Sequence, residues 1–407
     1  MSAALFDLAL RVAAHDRGGP IPRLLHNPAP VREVTVAIAA RCSGSVVQVE
    51  AVGPDGRLMT GSGPDGLAAL ARAAGCVGGD LGDGAAAVID TPVTLRALAD
   101  LAVAYADPAA CGDVDVAAGS ALAGWWVERA AHPGTTAVAD VLAITRQRFI
   151  LGVAPGADYA QVWRRALAVP PGVDGLGVWH HAVTRGTVLP GLDATREDDD
   201  WLLELHQKAL RANRSWNQPE TLQLAATRLA SRCDAADMYA AALRADPLWR
   251  ARGVHSGFVC HGEVVVGTGT EGKRFMVRAA RLDTRLKPGV EVVGWPGHPM
   301  MAMPDYGNHF SGEVFATGVD GAALVVTIGA LGRSGYRPAA GEMVTVIPAP
   351  PRVSTIRSRR MAVARLYRRR FSWLSQGATP TAARRGVPLA VLIAAADVAE
   401  TEGCADA

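Results

Sequence analysis

The sequence predicts a multidomain chain of mixed class: an α/β module, an all-α segment and an all-β barrel, followed by a basic helix. Three observations lead there. Over roughly the first hundred residues, apolar positions recur alternately with helical and strand periods. From Val114 to about Arg252 the helical period holds throughout, and from His255 the period becomes two. The third is a repetition. Gly262-Glu263-Val264 recurs as Gly312-Glu313-Val314, and Lys287-Pro288 as Arg337-Pro338, each displaced by fifty positions. A unit of short strands this small cannot bury its own apolar face, so two units are expected to close as one duplicated six-stranded β-barrel near the C-terminus. The expected domains are 1–110 (α/β module), 111–253 (helical), 254–350 (barrel) and 351–407 (arginine-rich helical tail).

In the first part, Ala3 to Ala14 reads as a helix, Glu33 to Ala40 as a strand, and Val46 to Thr60 as a hairpin turning at Gly53-Pro54-Asp55-Gly56. A helix from Gly66 to Ala74, a buried strand from Ala85 to Asp90 and a helix from Thr94 to Ala106, capped by Thr91 or Thr94, complete it. The helical segment predicts helices at 117–131, 136–149, 159–168, 201–213, 220–231 and 235–244, punctuated by prolines. Seven of the nine tryptophans lie in it, as core packing would require. The barrel strands are expected at 258–267, 274–280, 290–293, 312–317, 323–328 and 342–347, with a cradle-loop, OB-like or translation-factor-like shape. After Pro348 to Pro351, Val353 to Leu374 reads as an amphipathic cationic helix and Leu389 to Glu400 as a short final one.

With 407 residues and 49% apolar content, the chain has enough material for two or three cores. Six scattered cysteines form no Cys-x-x-Cys, which argues against a disulfide framework or zinc ribbon and for reduced thiols in a cytoplasmic protein. No basic region precedes the N-terminal apolar stretch, and the longest apolar run, Val387 to Ala396, is too short to cross a bilayer. The expectation is no membrane association.

No complete catalytic signature is present, so the sequence argues against an enzyme. Gly267-Thr268-Gly269-Thr270-Glu271-Gly272-Lys273 satisfies a phosphate-loop pattern, but arginine follows the lysine and strand periodicity follows the loop. The matching position in the second copy, Thr317 to Gly321, is an ordinary turn, which favours a hairpin in both. His255, Cys260, His261, His298 and His309 are near enough for barrel closure to gather some of them. Cys260 and His261 are adjacent on a strand and so face opposite ways, and no metal or other cofactor is expected. Asp113-Val114-Asp115 lacks a third marked aspartate, and Glu197-Asp198-Asp199-Asp200 reads as the acidic start of a helix.

The charge distribution carries the functional reading. Net charge is only +2, yet Arg352 to Arg385 holds ten arginines and no acid or lysine, leaving 31 basic against 39 acidic residues elsewhere, a balance of −8. Arg357, Arg359, Arg360, Arg365, Arg368, Arg369 and Arg370, interleaved with Tyr367, Phe371 and Trp373, combine forks that pair phosphates with rings that stack on bases. Arg274 and Arg278, four apart on a predicted strand, share one of its faces and extend the surface. The expectation is a nucleic-acid-binding protein, for DNA or RNA, within a replication, mobile-element or phage-related complex. The rival is a non-enzymatic assembly or scaffold subunit that docks on acidic protein partners. A nucleotide-using enzyme built on Gly267 to Lys273 is the third reading.

Overall fold

The computed structural model describes residues 2–266, 274–282, 284–304, 308–329 and 336–366. Two units divide the chain: Met1–Pro219 with Leu229–Arg357, and Glu220–Arg228 with Ser358–Ala407.

Helix α1 (Ala3–Arg17) is capped by Ser2, whose hydroxyl accepts from the Leu5 amide, and ends at Gly18 in the left-handed region. After β1 (Ile21–Pro22) come β2 (Thr35–Ser43), β3 (Val46–Val52) and β4 (Leu58–Ser62), an antiparallel run whose second turn falls at the expected Gly53 to Gly56. Helix α2 (Pro64–Ala73) leads to β5 (Ala86–Ile89), then α3 (Pro92–Ala104), α4 (Pro108–Cys111) and α5 (Val114–Arg129). Strand β6 (Val138–Asp140) follows, parallel to β5, with α6 (Val141–Arg148) after it. The sheet order is β4-β3-β2-β5-β6, with β5 also parallel to β2.

A continuous helix is expected over 136–149, and β6 corrects its first third. Val138 to Asp140 completes a buried sheet edge, and the Asp140 carboxylate caps the helix that begins one residue later by accepting from the Ala143 amide. Alternation along β2 sends Val36, Ile38 and Ala40 to one core with α2, α3 and α5, and Ala37 to the other with α6 and the later helix Asp174–Thr184. Gly119 permits the close approach of α5 to α2, since a Cβ there would strike the Leu67 carbonyl.

The chain continues through β7 (Phe149–Ile150), which pairs with β1, then α7 (Ala160–Ala166), α8 (Asp174–Thr184) and α9 (Asp193–Arg211). Helix α9 starts eight residues before the expected 201, so the 197–200 acids lie inside it and are not its cap. Asp199 is fully buried. Its carboxylate pairs with Arg129 and accepts from the Thr135 hydroxyl at 2.9 Å and from the Thr136 amide and hydroxyl at 2.6 and 2.8 Å. Four tryptophans, 125, 126, 163 and 179, are completely buried in the two cores, while Trp201 is half exposed. The two helices expected over 220–244 are one, α10 (Leu222–Ala245), because no glycine or proline interrupts them. Helix α11 (Pro247–Ser256) completes this part; Asp7 of α1 holds it through Arg252 (2.9 Å) and also takes Arg23 (3.3 Å).

Six strands then form a closed antiparallel barrel: β8 (Cys260–Val266), β9 (Arg274–Ala279), β10 (Glu291–Pro296), β11 (Phe310–Asp320), β12 (Ala323–Gly329) and β13 (Met343–Pro348). The cyclic order β10-β11-β12-β9-β8-β13 is unchanged when β8 is exchanged with β11, β9 with β12 and β10 with β13. The registers follow the same exchange. Glu263↔Arg278 and Val264↔Val277 answer to Glu313↔Gly329 and Val314↔Ile328, and the register shifts between Val264 and Val266 as it does between Val314 and Ala316. In the barrel core Phe310 lies opposite Gly294, and Cys260 opposite Val346. A Cβ on Gly294 would fall on the Phe310 ring and 2.7 Å from the Thr345 carbonyl oxygen. The outer side of β10 and β13 packs Trp295 and Ile347 against Val254 of α11. The last described element is α12 (Val353–Leu366), anchored by Ile356, which is 2% exposed. Among the described residues no helix is long and apolar enough to cross a membrane.

Candidate nucleic-acid interface

Strand β9 places the two predicted arginines as its alternation requires. Phe275, Val277 and Ala279 enter the barrel core, and Arg274 and Arg278 stand exposed on the outer face. Phe315, at the bulge of β11 and next to inward Val314, faces outward and is 55% exposed, and the Arg274 guanidinium lies 3.7 Å above the centre of its ring. Val265, which occupies the corresponding bulge of β8, also faces out, as does Val319 further along β11. The result, among the described residues, is an exposed cationic and aromatic patch on the outer face of the barrel strands. Arg278 is differently placed: it is 3.6 Å from Asp320 and directly across the ladder from Glu263. Over 254–350 the sequence holds eight basic and eight acidic residues, so the barrel carries no net charge and Arg274 is a local feature of it.

In α12, Arg357 reaches Glu197 at 3.4 Å, with both side chains about two-thirds exposed. A pair this open to water contributes ~0–1 kcal/mol and leaves Arg357 free to exchange partners. The side chains of Arg359, Arg360 and Arg365, and all of Arg368, Arg369, Arg370 and Trp373, lie outside the described residues, as do the Gly267 to Lys273 loop and the final predicted helix. The strands on either side of that loop are antiparallel neighbours in the barrel.

Barrel closure brings His261 and His298 of the histidine group together. The rings of His261 and His298 meet edge to face at 5.4 Å; His261 Nδ1 lies 3.1 Å from the Val344 carbonyl and 3.3 Å from the Thr345 hydroxyl. Burial lowers the His261 pKa, the Val344 carbonyl opposes that, and His298 adds to it. Cys260 points the other way, into the core, where burial pushes its thiol up to about 12. His255 stacks on Phe6 at 4.8 Å, away from the pair. Among the described residues no three His, Cys, Asp or Glu side chains are placed to hold a metal ion. Asp113 caps α5 by accepting from the Asp115 amide, and Asp115 faces Arg72 at 3.7 Å, so that pair is structural.

Two carboxylates outside these motifs stand at the ends of adjacent parallel strands. Asp90 follows β5 and Asp140 ends β6, paired with Ile89, at the edge where ligands of open α/β sheets gather. Burial raises the Asp140 pKa, two amides at the start of α6 oppose this, and Asp90 adds to it. The legible signal was a short apolar strand ending in Asp before a helix. Phe315, next to inward Val314, faces out as alternation requires; what the sequence did not carry is its meeting with Arg274, which stands two strands away across β12.

Comparison with family profiles, curated proteins and solved structures returns no match for this chain.

Proposed function

We propose that this protein binds nucleic acid through its arginine-rich C-terminal segment, with the Arg274–Phe315 face of the barrel as a stacking platform. The observation that carries the reading is ten arginines over Arg352 to Arg385 without a single acid, beginning on a helix whose Arg357 has only a solvent-exposed ion pair. Charge at that density is relieved most fully by a polyanion, and each guanidinium that takes a phosphate releases a counterion. The Arg274–Phe315 stack supports it: an exposed ring beneath a guanidinium offers a π-face and a cation to an unpaired base. That geometry favours single-stranded nucleic acid at the barrel. Arg278, already beside Asp320 and Glu263, is a lesser contributor.

The same reading takes the barrel as two copies of one unit, supported by the shared registers and the shared bulge of β8 and β11. Bulge residues are then equivalent positions, of which the second copy bears the ring. The neutral charge of the barrel is what favours the rival, docking of the tail on an acidic protein surface. Fluorescence anisotropy with a labelled single-stranded 20-mer at low ionic strength separates them. Binding is expected, weakened by replacing Arg368, Arg369 and Arg370 with Ser, and weakened by roughly 1–3 kcal/mol in Phe315→Ala through loss of one stacked base. Absence of binding, or indifference to the arginine triple variant, refutes the proposal.

A further inference from the structure

A cavity of about 530 Å³ lies where the end of α10, the start of α11, the loop after β10 and the proline segment after β13 converge. Its walls are mostly apolar, with Met238, Ala242, Met303 and Ile347 among them, and three nitrogen-bearing side chains reach it: His26, Arg244 and Arg250. Junctions of this kind between elements of different class, apolar with a few polar groups, are where small ligands bind.

Two of the three already have hydrogen-bond partners. Arg250, 2% exposed, gives Nε to the Pro299 carbonyl and Nη2 to that of Met301, each at 2.7 Å, and Nη1 to the carbonyls of Arg244 and Ala245 at 3.0 and 2.6 Å. His26 Nδ1 sits 2.8 Å from Asp246 Oδ2, and Asp246 also accepts from the amides of Leu25, His26, Leu248 and Trp249. Arg244 is the exception. At the last turn of α10 its natural partners are the terminal carbonyls, and Arg250 has taken them. Its Nε is buried without a hydrogen-bond partner, and its side chain has no ion pair among the described residues. Burial lowers the basicity of this guanidinium and Asp237 only partly offsets that.

We propose that the cavity binds a small amphipathic carboxylate, its apolar chain along the Met238–Met303 wall and its carboxylate on Arg244. One planar fork, only partly balanced by Asp237, matches one monoanion with two oxygens, and among the described lining residues the other guanidinium, Arg250, is already held by backbone carbonyls and cannot help balance a phosphate dianion. The apolar lining supplies the remainder of the recognition.

Isothermal titration of the full chain with decanoate, decanol, decyl phosphate and decyltrimethylammonium, all below their micellar concentrations, tests this. Decanoate is expected to bind roughly ten- to a hundredfold tighter than decanol, the gain of a charge-assisted hydrogen bond, and the cation not at all. Arg244→Met is expected to make decanoate no tighter than decanol. Met303→Trp, at a residue 45% exposed and therefore tolerant of change, is expected to abolish both by filling the cavity. Circular dichroism confirms that each variant is folded. The proposal is overturned if decanoate fails to bind, if decanol or decyl phosphate binds as tightly, or if decanoate binding survives Met303→Trp.

Discussion

Replacing Gly294 with valine puts three carbons into a barrel core that has room for none. The new Cβ meets the Phe310 ring and sits 2.7 Å from the Thr345 carbonyl oxygen, so overpacking costs about 1–3 kcal/mol. Replacing Phe310 with cysteine does the opposite. It empties a fully buried site where the ring meets Phe275 edge to face at 5.0 Å, at about 3–5 kcal/mol. Together the two changes write at Gly294↔Phe310 the pair that the barrel already holds at Val346↔Cys260. If the halves are equivalent, valine fills the space that cysteine leaves, and the double variant is expected to be more stable than the sum of the singles by about 2–3 kcal/mol. Phe275 loses its partner either way, so recovery is incomplete. A chain of several cores does not unfold in one step, which makes hydrogen exchange on peptides covering 260–266 and 291–296 the appropriate assay. Additivity of the two single changes within about 0.5 kcal/mol would refute the equivalence of the two halves.

Asp199→Ala is expected to destabilise the α/β region by about 3–5 kcal/mol, read by urea unfolding, because it strands Arg129, 4% exposed, without its counter-charge. The double change to Arg129→Met with Asp199→Leu should recover much of that loss. Stability is also expected to fall with acid. Burial, with Arg129 and Arg232, lowers His132 to about 4, and burial, with His181, lowers His180 to about 4. Both rings are neutral in the fold but take up protons when unfolded below about 6.5. Stability is therefore complete above about pH 6.5 and lost progressively from there to about 4; thermal melts of His132→Gln and His180→Phe should show a flatter profile in that window.

What the sequence made legible followed from period and punctuation. Strand alternation put Arg274 and Arg278 on one face and turned Cys260 and His261 opposite ways, as found, and the turn at Gly53 to Gly56 fell where its residues predicted. Strand β6 escaped because three residues are too few to carry a period, and its identity comes from pairing with β5. The 197–200 acids were misplaced because local composition says nothing of Arg129, seventy residues away in sequence. Arg244 was equally invisible: that its buried Nε has no hydrogen bond depends on Arg250 occupying the α10 carbonyls, a three-dimensional fact. The Arg274–Phe315 stack depends on β12 bringing β9 and β11 together.

The arginine segment is the centre of the functional account, and the salt dependence of its binding tests it most directly. Measured between about 50 and 200 mM salt on the same single-stranded 20-mer, log K is predicted to fall linearly with log salt. Serine at Arg368, Arg369 and Arg370 is expected to flatten that slope by about 2, near 0.7 for each lost phosphate contact on a single strand. A slope near zero in the unmodified chain, or an identical slope in the triple variant, would contradict the account.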